Sequence, residues 1–560
     1  NSTINGTQSL TLKSGSGAIT IDGAIGADQI LTGLSINATD GDTGTIEITD
    51  IGDDNAEGVN TGTVSIGNNA TVSLTLDGTV YKTDGATIYE AKSGDTILLT
   101  GDSPTIQTKA DSLTFDLGNI VLSTDGTTTI NTNLNAANDA GNLQIDGKIN
   151  TSSSTEALVL NAGTGSLTVD GAIGDTGAFT TITIGGGSAN GTIEVANIGG
   201  TNAGASGAVA VGNTSTGTLT LDGTVYKTDN TQTYTAATGG GNIDITGAAT
   251  FTTSADNISF ATSGVDLGAN VAITTGTTTN VGNVSFDGAI EAANAGTQTL
   301  TIDSGAGDVT FSKKIGETNA LGGLNVNAST DDGDGDITFT EDIGDTSAGV
   351  KGTTAVGNSA TNQIRFLEDV YTFDTGTTTF TTADGDKIVL EKGSTTTFTT
   401  ANTSISFAGG HIKLEDDSNL VVDTGALLGD ITIAEIAGTS QETVSLDAGT
   451  GTTSVGVIGN STEIGQLDIG SDANGGITLN GAIVTDGAVT IDGPVTLATA
   501  AVSVTTADDN ISFNHSIDGS QTLTLRSGSG AIVIDGVIGA DHTKILTGLS
   551  INATDGDTGT

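Results

Sequence analysis

Cysteine, methionine and tryptophan are absent from the 560 residues, and proline occurs only twice. Without cysteine there is no disulfide framework and no thiolate metal site. Basic residues are scarce: 15 Lys and Arg stand against 66 Asp and Glu, for a formal net charge of −51. That balance excludes a nucleic-acid-binding face, which needs cations. It also excludes adsorption to anionic lipid. No run of about 20 apolar residues offers a bilayer span, and no stretch keeps the apolar spacing of a long amphipathic helix. Aromatics are few, with 5 Tyr and 13 Phe. No basic-then-apolar leader opens the chain.

What remains is strand-and-turn chemistry. Glycine supplies 84 residues. Thr, Ser, Asn and Asp fill much of the rest, with Ile, Val and Leu alternating between them. β-Branched residues suit strands, and Gly, Asn and Asp suit turns. One stretch organises the chain: QSLTLKSGSGAITIDGAIG at residues 8–26. It returns as EALVLNAGTGSLTVDGAIG (156–174), TQTLTIDSGAGDVTFSKKIG (297–316), ETVSLDAGTGTTSVGVIG (442–459) and QTLTLRSGSGAIVIDGVIG (521–539).

Three periods are nested in these copies. Gly17 and Gly530 lie 513 residues apart, and residues 1–45 match 514–560 almost throughout. The chain therefore reads as one long period plus overlap of a longer polypeptide, with secretion signal and anchor expected elsewhere. Gly17, Gly165, Gly307 and Gly451 follow at steps of 148, 142 and 144. Tyr81, Tyr226 and Tyr371 are 145 apart each time. The shortest period is carried by apolar markers closing runs such as IDGAI: Ile25, Ile51, Val80, then Ile149, Ile173, Ile198, Val225, then Ile290, Ile315, Ile343, Val370. Their steps range from 24 to 29 residues.

A step near 25 residues holding two or three short strands is the size of one coil of a parallel β-solenoid. Alternation turns one set of side chains inward. A single coil cannot bury that set, but stacked coils form a continuous aliphatic column. The expectation is all-β: a parallel β-solenoid (β-helix) of about 25 residues per coil, 22 to 24 coils in total and about six coils per 145-residue block. The blocks are 1–147, 148–289, 290–433, a truncated 434–512, and 513–560 as the start of the next long period, without linkers. A string of β-sandwich domains is the rival, but such domains need no repeat inside the repeat.

Little chemistry is evident. His411, His515 and His542 recur in no other block and read as surface or turn residues. The GSGSG pieces lack the Lys-Ser/Thr of a phosphate loop. Lys82 and Lys227 recur with the block and read as scaffold. The one ligand candidate is acidic. Asp40 and Asp42 lie in NATDGDTGT, Asp555 and Asp557 in its copy, and Asp331, Asp332, Asp334 and Asp336 in TDDGDGDITF. Asp alternating with Gly can offer several oxygens to one Ca²⁺ in a tight turn. Against this stand the absence of a repeated GGxGxDxUx pattern and the acid-free GGGSANGT of the second block. Asp serving its own turn through local hydrogen bonds is the competing account. No catalytic constellation is found, so no enzyme is expected.

NVSFDGAIEAANAGTQTLTIDSGAGDVTFSKKIGETNALGGLNVNAS (283–329) and SFNHSIDGSQTLTLRSGSGAIVIDGVIG (512–539) carry a resemblance. The pattern resembles the repeats of giant bacterial surface proteins of the filamentous-haemagglutinin-like, two-partner-secreted kind, with their LTL-x-x-G-x-G-x-I-x-F-x-G-x-I-G runs. The resemblance implies an extracellular, cell-attached or shed fibre used in adhesion, cell contact or matrix building. The expected role is a shaft whose partners are further copies of the repeat and laterally associated neighbours. The expectation includes neither nucleic acid nor membrane insertion. A glycan-binding adhesin module, a surface-layer or sheath component, and a solenoid carbohydrate-active enzyme are the alternatives.

Overall fold

The computed structural model describes all residues except 1, 40, 134–139, 188–190, 277–280, 330–334, 440, 460–461, 471–474, 499–500 and 553–557. Among the described residues there are 58 strands of two to seven residues and no helix. The strands stack in parallel, about 24 residues from coil to coil, as a β-solenoid of about 21 turns. That is slightly fewer than the 22 to 24 coils the marker spacing suggests, because loops lengthen several coils. Among the described residues the ladders between strands are parallel, and the two isolated antiparallel bridges, Lys109–Asn133 and Val281–Gly305, join residues outside the strands.

The chain divides into two compact units, Asn1–Thr275 and Gly276–Thr560. In Asn1–Thr275 each coil contributes to three faces. The first face starts at Ser9–Leu12 and stacks Leu10, Leu34 and Val64 in register. The second starts at Ile19–Ile21 and stacks Ile19, Ile46, Leu74, Ile97 and Ile120. The third stacks Ile25, Ile51, Tyr81, Ile106, Ile130 and Leu160. In Gly276–Thr560 the same three-faced winding recurs. Alternation accounts for the burial: Leu34 and Ile36 are buried while Ser35 between them is not. Each such Leu or Ile contributes about 1.5–3 kcal/mol by leaving water.

One register differs from the marker reading. Ile51 pairs with Tyr81 rather than Val80, and Ile198 and Ile343 pair with Tyr226 and Tyr371 rather than Val225 and Val370. The strand slips by one residue because a tyrosine fills the interior better than a valine. Its hydroxyl is provided for: Tyr81 Oη accepts from the Gly78 N–H at 2.7 Å and donates to the Ile48 carbonyl at 3.1 Å. Tyr226 repeats both contacts with Gly223 and Val195. The interior is not purely aliphatic either. All 5 Tyr and 13 Phe are buried, and Phe286, Phe311, Phe339 and Phe366 stack at 5.6, 5.1 and 5.4 Å.

The last glycine of the organising motif is required by the backbone. Gly26, Gly174, Gly316, Gly459 and Gly539 all have φ between 66° and 74°. A Cβ at Gly26 would lie 2.0 Å from the Gly58 carbonyl oxygen, on the neighbouring coil. A side chain would therefore meet both the left-handed conformation and its neighbour.

Successive copies of the motif do not face the same way. The copy at 8–26 begins with Ser9–Leu12 on the first face. Six parallel steps along that face lead to Leu167–Val169, the second strand of the next copy. The first strand of that copy, Glu156–Asn161, lies on the third face, five steps beyond Ile25. The copies are thus offset by one third of a turn. In Gly276–Thr560 the offset recurs in the same sense. Five steps lead from Ile315, the closing residue of one copy, to Leu446 in the first strand of the next. Three steps lead from Ile458 to Leu525 in the same way.

Candidate functional site

Of the eight candidate carboxylates, Asp40, Asp331, Asp332, Asp334, Asp555 and Asp557 lie outside the described residues. Asp42 and Asp336 are described. Asp336 is not in a loop: it opens the strand Asp336–Phe339. Its Oδ1 accepts from Asn362 Nδ2 at 2.6 Å, and its N–H donates to Asp308 Oδ1 at 3.0 Å. The strand thus takes in the last acid of the TDDGDGDITF run.

Asp42 does lie in a corner, and that corner is organised by the following coil. Asn37 enters it at φ 43°. The carbonyls of Asn37, Thr39 and Asp42 then converge on the Asn68 side-chain amide, at 2.5, 3.1 and 3.0 Å. Of the Asp42 carboxylate, Oδ2 is buried with no hydrogen-bond partner. Asn68 is itself locked, since Thr71 Oγ1 accepts its N–H and its Oδ1 accepts from Ala70. Asn213 and Asn358 stand at the same place 145 residues apart. They donate to the Gly185 and Asn327 carbonyls at 2.6 and 2.7 Å. An asparagine amide therefore holds the corner oxygens in three blocks. Sequence reading missed this; the recurring GNxxT at 67–71, 212–216 and 357–361 is the signal that carries it.

The acids gather more densely elsewhere. On the first face of Asn1–Thr275, Asp116, Asp146, Asp170, Glu194, Asp222, Asp244 and Asp266 follow one another from coil to coil, in or just after the strands. Side-chain amides bridge them. Gln144 Nε2 donates to Asp146 Oδ1 and Asp170 Oδ2 at 2.8 and 2.9 Å. Asn242 Nδ2 donates to Asp244 and Asp266 at 2.6 and 2.5 Å. Partial burial and then the neighbouring carboxylates raise Asp116, Asp170, Glu194 and Asp244 above the usual carboxylate range. Among the described residues no group of three or more His, Cys, Asp or Glu is arranged to hold a metal ion.

The remaining candidates are structural in their contacts. His411 opens the strand His411–Leu414, with Nε2 3.4 Å from both Asp384 and Glu435. His515 Nε2 is 3.5 Å from Asp492, and His542 is exposed. Lys82 and Lys227 each donate to a loop carbonyl of the preceding coil, Asp54 and Thr201, at 2.8 and 2.7 Å. Among the described residues no helix is long and apolar enough to cross a membrane. No family model, curated protein or solved structure matches this chain.

Proposed function

We propose that this chain is part of the shaft of a long extracellular bacterial filament of the filamentous-haemagglutinin-like kind, with a mechanical role: reach, stiffness and spacing. One observation carries the reading. Within each unit all three faces continue as parallel ladders from coil to coil, with the large side chains inside. Such a stack resists bending because each coil is tied to the next by main-chain hydrogen bonds along three sides. The acidic exterior keeps it dispersed. The resemblance of 283–329 and 512–539 supports the surface location.

Recognition of glycans by the shaft would call for exposed aromatic rings, and every Phe and Tyr is buried. Imaging and fibre diffraction of the native material test the reading. The expected result is a thin fibre of constant width with an axial spacing of about 4.8 Å. Separate globules strung along the chain would overturn it.

A further inference from the structure

One face of the Gly276–Thr560 unit has a long stretch whose strands present no outward charge, bounded by Asp303 at one end and Asp518 at the other. Its outward column runs from Thr301 through Asn325, Ala355, Thr379 and Ser406 to Thr496, each strand in register with the next. From Gly323–Val326 to Val495–Leu497 the outward residues on this face are Gly, Ala, Ser, Thr and Asn only. The other two faces differ. One carries the Arg365–Glu391 and Lys413–Glu415 pairs, the other Asp423, Asp447 and Asp468.

At the border of the uncharged face stand two leucines. Leu427 and Leu428 are 60% and 77% exposed, and Leu428 is the most exposed large apolar side chain among the described residues. They precede the strand Ile431–Ala437. Their loop is fixed rather than loose: the Leu427 N–H donates to Asn402 Oδ1 at 2.9 Å, and its carbonyl accepts from Thr450 at 3.1 Å. The adjoining Asp430 accepts the Thr452 N–H at 2.7 Å.

We propose that this face binds the same face of a second copy of the chain, the leucines of each copy packing onto the short side chains of the other. Charge selects the partner. Two chains of net charge −51 repel one another, and here no strand side chain adds to that repulsion. Short side chains let two sheets approach to about 10 Å. Seven register steps of about 4.8 Å, from Asn325 to Thr496, and a width of about 13 Å give roughly 440 Å² per copy and about 900 Å² for the pair. That falls just under the size of a specific stable interface, so one pair is weak and aligned repeats gain by multivalency. The inference goes beyond the shaft reading and does not depend on it.

Sedimentation equilibrium of the full chain, from about 1 to about 500 μM, tests it. A monomer–dimer equilibrium is expected that tightens as salt screens the repelling faces. Leu427→Asp with Leu428→Asp, and separately Thr432→Glu, should weaken it at least about tenfold. Asp468→Asn, on another face, should not weaken it. Leu427, Leu428 and Thr432 are exposed, so an unchanged far-ultraviolet circular dichroism spectrum shows that the fold is kept. A chain that stays monomeric throughout, or association that survives both charged variants, overturns the proposal.

Discussion

Asn327 and Ser304, on neighbouring coils, hold each other by a reciprocal pair of hydrogen bonds. The Ser304 N–H donates to Asn327 Oδ1 at 2.8 Å, and Asn327 Nδ2 returns a bond to Ser304 Oγ at 2.8 Å. Both residues are buried, at 0% and 1% exposure. Asn37 with Ser14 and Asn552 with Ser527 repeat the arrangement. The other two copies have Ala162 with Gly185 and Ala448 with Gly470 at these places. All five corner residues have positive φ. The corner thus has two solutions: an asparagine whose amide is satisfied by serine, or a glycine, which brings no side-chain amide to satisfy.

Ser304→Ala should therefore cost about 1–3 kcal/mol, because it strands a buried amide. Adding Asn327→Gly should recover much of that loss, since the pair then matches Ala162 and Gly185. A double-mutant cycle by denaturant unfolding measures the coupling. Additive losses would mean that the pairing has no energetic content.

A second comparison between blocks concerns tyrosine. Tyr234 Oη donates to Gln232 Oε1 at 2.8 Å, while Gln232 Nε2 donates to the Thr252 carbonyl at 2.8 Å. In the first block Thr87 takes the place of Gln232, and the buried Tyr89 hydroxyl has no hydrogen-bond partner. Tyr234→Phe should cost about 1–3 kcal/mol by leaving Gln232 under-satisfied, whereas Tyr89→Phe should be neutral or stabilising. Equal losses in thermal unfolding of the two variants would contradict this.

The alternation of Leu10-Thr11-Leu12 and the 25-residue step were enough to read parallel coils. They were not enough to read the one-third-turn offset. Apolar-x-apolar looks alike on all three faces, so a sequence period says nothing of which face a copy occupies. Tyr81 escaped for a related reason: beside Val80 it offers two adjacent apolar residues, and only packing volume chooses between them. The Ser304–Asn327 pair spans coils and becomes visible only when copies alternate between Ser/Asn and Ala/Gly. Of the two acidic candidates that are described, Asp42 lies in a corner and Asp336 opens a strand, while the bridged acids around Gln144 lay unnoticed in ordinary strands.

Those acids set a pH dependence. In Asp116, Asp170, Glu194 and Asp244 the folded pKa is raised, so the folded state binds these protons more tightly than the unfolded chain. Stability should rise as pH falls from neutrality through their folded pKa values. At lower pH it should fall again, as carboxylates held below the usual range, such as the Lys148-paired Asp175, become protonated. Asp170→Asn should raise the melting temperature at neutral pH and lose that advantage in acid. A melting temperature that declines steadily on acidification from neutrality would refute the sign.

Damage to the interior should stay local. Phe339 stacks between Phe311 and Phe366 at 5.1 and 5.4 Å, and all three rings are buried. Phe339→Ala removes both contacts and should cost about 3–5 kcal/mol where it acts. In a stacked array each coil touches only its neighbours, so stability is nearly a sum of coil and interface terms. Hydrogen exchange should then show faster opening of Asp336–Phe339 and of its ladder partners Val309–Phe311 and Gln363–Phe366. Protection at Val495–Leu497, several coils away, should be unchanged. If that distant strand opened at the same increased rate, the unit would be unfolding as one cooperative globule, and the coil-by-coil account of its stability would be wrong.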